Sequence, residues 1–111
     1  MKSIAIERYS YYLFSSRSED DAVIYLYDAH STVVAEVFFI DDPKPLPNAS
    51  RSHAGRYLLY YHRSALPGLI DMLRNERPIY LTWVDSDNAA LSTGFEMVGA
   101  NESALELQAR L

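Results

Sequence analysis

Three kinds of side chain in this sequence are equipped for chemistry: three histidines, a run of arginines and an excess of tyrosine. His30 lies in a short polar break between two apolar runs, where an imidazole is simply solvated. His62 closes the run Arg56–His62 on the face of Leu58 and Tyr60, so it reads as a part-buried ring bonded to backbone rather than a catalytic base. His53 stands between Arg51 and Arg56, a combination suited to an anion. The three are too widely spaced to suggest a metal triad, and no metal or cofactor is expected. The chain has no cysteine, which removes disulfides, thiolate metal sites and thiol nucleophiles together. Asp41 and Asp42 precede Pro43. A carboxylate pair divides acid and base roles when its two environments differ, but before a proline the plainer reading is a solvated Asx turn. No glycine-rich phosphate loop, G-x-S-x-G elbow, H-E-x-x-H or dinucleotide fingerprint is present.

The remaining chemistry is arginine beside aromatic rings. Of nine tyrosines, six sit at 9, 11, 12, 57, 60 and 61. Arg51, His53, Arg56, His62 and Arg63 form the candidate ligand-binding set, with Tyr57, Tyr60 and Tyr61 as a candidate aromatic surface. Rings on a sheet beside arginines suit the stacking of single-stranded bases. They equally suit core packing and a subunit interface, where tyrosine buries one end and wets the other. The net charge of −5 favours the interface, because nucleic-acid affinity draws heavily on neutralised phosphates. That charge is unevenly spread: residues 44–77 carry six basic groups against two acids, inside an otherwise acidic chain.

The elements that must position these residues follow from periodicity. Residues 3–14 alternate as one strand. The polar 15–21 segment is a loop. Ala22–Asp28 and Thr32–Ile40 are rich in β-branched and aromatic residues and are joined by a turn short enough for a hairpin. Residues 41–55 hold three prolines, which forbid a central strand, so they read as a long mobile loop. Residues 56–62 resume as a strand. From Ser64, a natural N-cap, Leu66, Leu69, Ile70 and Leu73 fall on one helical stripe with Met72 at its edge. Asn75 to Pro78 stops the helix. Strands follow at 79–84 and 89–93, with turns at Gly94 and Gly99 and a tail at 101–111 that forms a last helical turn or frays.

The expected fold is α+β, in the order β-β-β-β-α-β-β: one domain over 1–111, with a mostly antiparallel sheet and one main helix packed on it. That order, four meandering strands and then a helix, resembles Whirly-type single-stranded nucleic-acid binders in element order alone. In the 32–40 strand, Val33, Ala35, Val37 and Phe39 make one apolar face. The opposite face, Val34, Phe38 and Ile40, is broken only by Glu36, which calls for an ion pair with Arg8 or Arg56. One helix covers one face of a sheet, so the second apolar face implies self-association or a partner. The leading reading is therefore a non-enzymatic interaction module, a homodimer formed through its sheet. Single-stranded nucleic-acid binding through the 51–63 segment is the alternative. A small hydrolase or isomerase using His53 or His62 comes third. Residues 1–14 lack the apolar run of a signal peptide and no window approaches a membrane span, so a soluble cytoplasmic protein without membrane contact is expected.

Overall fold

Residues 2–15 and 22–94 are described by a computed structural model in which the strands form two sheets. In chain order the elements are β1 (Lys2–Ile6), β2 (Arg8–Leu13), β3 (Ala22–Tyr27), β4 (Val33–Ile40), β5 (Ser50–Arg51), β6 (Tyr57–His62), α1 (Leu66–Asn75), β7 (Ile79–Asp85) and β8 (Asn88–Thr93). The larger sheet runs β2-β3-β4-β6-β5 and the smaller β1-β7-β8. The fold is α+β, mostly antiparallel, with one main helix packed against the sheets. No helix among the described residues is long and apolar enough to cross a membrane. The turns expected at Gly99 and the tail at 101–111 lie outside the described residues, as does most of the 15–21 loop.

Four expectations change. The single strand at 3–14 is two strands, because the chain leaves one sheet and enters the other at Glu7. The break resets the alternation, so Ile4, Ile6 and Tyr9 all pack against the core despite their mixed parity. The chain meanders through β2, β3 and β4, but β6 then joins β4 in parallel instead of continuing the meander. Parallel neighbours need a long crossover, and that is the work of the 41–56 segment. It bonds back to the fold at several points on its way: His62 Nε2 donates to the Lys44 carbonyl (2.8 Å), Ala49 N–H to the Ser86 carbonyl (3.2 Å), and β5 pairs with β6.

The third change is at the helix start. Ser64 is not its N-cap: a 3-10 turn over Arg63–Ala65 precedes α1, Ala65 holds the cap position, and Pro67 occupies the first turn, where no N–H is needed. The Ser64 N–H is instead taken by Asp42 Oδ1 at 3.0 Å. The fourth concerns β4. The β3–β4 hairpin forms as expected, but its register shifts between Leu26 and Tyr27, pairing Tyr27 with Val33 and leaving Val34 without a partner. Such a bulge reverses the facing of what precedes it. Val34 packs against the core, whereas Val33 joins Tyr25 and Tyr27 on the other side.

The core lies on the inner side of the larger sheet. Ile24, Leu26, Ala35, Val37, Phe39, Tyr57 and Leu59 bury there against Leu69 of α1 and Leu81 of β7. Leu66, Ile70, Met72 and Leu73 complete the contact from the helical stripe.

Candidate functional site

With α1 and the smaller sheet both on the inner side, the outer side of the larger sheet is left to its own side chains. Register places Ser10 and Tyr12 of β2, Val23, Tyr25 and Tyr27 of β3, Glu36 and Phe38 of β4, and Leu58 and Tyr60 of β6 on it. None of these belongs to the inner core cluster, and most are only partly buried. The rings organise themselves. Tyr12 meets Tyr25 edge-on at 5.5 Å, Phe38 stacks on Tyr60 at 5.6 Å, and the Tyr27 hydroxyl shares a 2.9 Å hydrogen bond with Ser10 Oγ. Val23 is buried here, flanked across the strands by Tyr12 and Phe38. A shallow depression of about 380 Å³ opens among Tyr12, Phe14, Tyr25, Tyr27, Val33 and Arg56.

Glu36 sits in the middle of this side, paired at 3.7 Å with Arg56. Arg8 instead donates to Ser31 Oγ in the β3–β4 turn at 3.0 Å. Ser31 holds a positive φ of 63° there, braced by Asp28 Oδ1, which accepts from the His30 and Thr32 amides.

The candidate ligand-binding residues do not converge. Arg51 lies over the Tyr57 ring, 4.6 Å from its centroid, and donates to the Gly55 carbonyl. Arg63 pairs with Asp41 at 3.1 Å. His53 is exposed in the turn beyond β5, and His62 is bonded to the Lys44 carbonyl. The positive island of the sequence is thereby partly offset in space by acids from elsewhere in the chain: Glu36 meets Arg56, Asp41 meets Arg63, and Glu7 meets Arg77 at 3.8 Å. No cluster of histidine and carboxylate able to hold a metal occurs among the described residues.

The candidate aromatic surface divides by parity. Tyr60 faces outward, while Tyr57 and Tyr61 face inward. Tyr57 is buried and packs on Trp83 of β7 at 4.9 Å. Burial raises the Tyr61 hydroxyl above its ordinary pKa, opposed by a hydrogen bond from the Leu91 backbone in β8. These two tyrosines tie the sheets together rather than offer rings to a ligand. Tyr25 and Tyr27 are outward rings that sequence reasoning passed over, and they stand beside Tyr12 and Phe38, which it had singled out. Their signal was the alternation Val23, Tyr25, Tyr27 on β3, read alongside Phe38 across the hairpin.

Asp42 performs a local structural task. Its carboxyl is held below the usual carboxylate range chiefly by the Ser64 backbone N–H, with the positive charges of His62 and Arg63 adding to the effect. No family model matches this chain, and no curated protein or solved structure matches it either.

Proposed function

We propose that this chain is a non-enzymatic interaction module that self-associates through its larger sheet. One observation carries the reading: the outer side of that sheet is aromatic and aliphatic from β2 to β6, and neither α1 nor the smaller sheet lies over it. Contiguous apolar surface of this kind marks interaction sites in proteins that are otherwise polar outside. Its composition is that of an interface core, with tyrosine and phenylalanine surrounding a single compensated charge pair. The Glu36–Arg56 pair leaves the middle of this side without net charge, so the overall −5 does not concentrate on the outer side of the sheet. Assignment to the cytoplasm belongs to the same proposal and draws on a cysteine-free chain.

Sedimentation equilibrium at tens of micromolar protein tests it. The expected mass is about twice the 12.6 kDa of one chain. A monomer across that range would refute self-association.

A further inference from the structure

The outer side of the sheet does not account for every uncovered apolar residue. Tyr11, Tyr12 and Leu13 are 41 %, 47 % and 68 % exposed, and they make up three of the five large apolar side chains that stand exposed among the described residues. All three lie on β2. Tyr12 points outward, but Tyr11 and Leu13 pair with Ile24 and Ala22 and so share the inner side with the core. β2 is therefore uncovered on both its sides at once. The feature common to all three residues is the edge of the sheet, not a face of it.

β2 is an edge strand: it pairs with β3 on one side, and among the described residues no strand pairs with the other. Sheet edges are normally protected by proline, charge, bulges or brevity. The remaining edges here show such protection. β5 is two residues long and follows Pro43, Pro45 and Pro47. β1 exposes Lys2, Ser3 and Ala5, and β8 consists of small and polar residues apart from Leu91. β2, Arg-Tyr-Ser-Tyr-Tyr-Leu, has six residues, no proline or glycine, and one charge at its first position.

We infer that β2 is a pairing edge whose occupant is β2 of a second copy, joined antiparallel about a two-fold axis normal to the sheet. The inference rests on the self-association proposed above and places the joint at the β2 edge of the larger sheet rather than over the middle of its outer side. Such an axis keeps inner residues beside inner and outer beside outer, so only registers of matching parity are allowed. Centred on Tyr11, the pairing sets Tyr11 against its counterpart, Tyr9 against Leu13 and Ser10 against Tyr12. Centred on Ser10, it sets Tyr9 against Tyr11 and Arg8 against Tyr12. In neither register does Arg8 face another charge: it meets an aromatic ring of the other copy, an attractive contact. The edge is thus complementary to itself in charge, in apolar character and in backbone hydrogen bonding, as an isologous interface requires. Two five-stranded sheets become one continuous sheet, which satisfies the free backbone groups of β2 and shelters Tyr11 and Leu13.

The absence of cysteine permits a direct test. Residues opposite each other on antiparallel strands have Cα atoms about 4.5–5.5 Å apart, within reach of a disulfide. Tyr11→Cys and Ser10→Cys are made singly, with Asp71→Cys on the exposed side of α1 as a control. Mild oxidation is expected to convert one of the two β2 variants largely to a covalent dimer and to leave the control monomeric on a denaturing gel. The double variant Tyr11→Lys, Leu13→Lys, at exposed positions that spare the core, is expected to sediment at the single-chain mass with its far-UV circular dichroism unchanged. Phe38→Lys, away from the edge, is expected to remain dimeric. A wild-type dimer that neither β2 cysteine cross-links, and that Phe38→Lys dissociates while the double lysine variant does not, overturns edge pairing and leaves self-association standing. A monomeric wild type overturns both.

Discussion

Leu81→Ala should destabilise this protein more than Leu69→Ala, although both remove the same three carbons from one core. Transfer alone costs about 0.8 kcal/mol per methylene, or roughly 2.4 kcal/mol for either change. The difference arises from the cavity left behind, which adds cost where the surroundings fail to collapse and brings such substitutions up to about 5 kcal/mol. Leu69 is 7 % exposed on a ten-residue helix that contacts the sheets through one stripe, so α1 is free to settle toward the vacancy. Leu81 is fully buried in the middle strand of the smaller sheet, held in register against Ile4 on one side and Leu91 on the other. That backbone is clamped. About 2–3 kcal/mol is therefore expected for Leu69→Ala and about 4–5 kcal/mol for Leu81→Ala. Urea unfolding followed by circular dichroism reads both as shifts in midpoint at constant slope. Asp71→Ala, exposed and bonded to Asn75 of its own helix, should fall within about 0.5 kcal/mol of wild type. Equal losses at Asp71 and Leu69 would show that the helical face is misassigned. A larger loss at Leu69 than at Leu81 would refute the argument from backbone clamping.

Three other outcomes follow from the same geometry. Tyr61 must stay neutral in its buried position, so the stability it supports is complete below about pH 10 and is lost as pH rises toward its raised folded value; Tyr61→Phe should flatten the alkaline limb of a stability–pH curve, and an unchanged limb would refute the assignment. Asp42 titrates below its ordinary value when folded, so its contribution is present above roughly pH 4 and disappears as pH falls through the depressed value; Asp42→Asn keeps an acceptor for the Ser64 amide and should reduce the acid dependence. With Tyr57 buried and Arg51, Arg56 and Arg63 already engaged, a labelled single-stranded oligonucleotide at low salt should show no anisotropy change at tens of micromolar protein; salt-sensitive binding abolished by Tyr60→Ala would contradict this.

Local pattern was enough to determine most of the elements. The helical stripe of Leu66, Leu69, Ile70 and Leu73, the hairpin around Asp28–Thr32 and the strands on either side of 86–87 were all legible, because side-chain period and turn chemistry act over a few residues. The same locality divides the candidate aromatic surface: alternation assigns Tyr57 and Tyr61 to the opposite side of the strand from Tyr60. What alternation leaves open is which side is covered, and that depends on where α1 and the smaller sheet dock. The break at Glu7 was hidden for a related reason, since both halves of residues 3–14 are good strands and only pairing partners divide them between sheets. The bulge at Val34 turned Val33 outward without altering its residue type. The charge segregation of the sequence is softened because Glu36, Asp41 and Glu7 lie outside the basic segment in the chain but beside its arginines in space. Strand existence is a property of a short stretch of chain. Sheet membership, the covered side and the ion-pair partner are set by contacts between residues far apart in sequence, so the tertiary structure alone decided them.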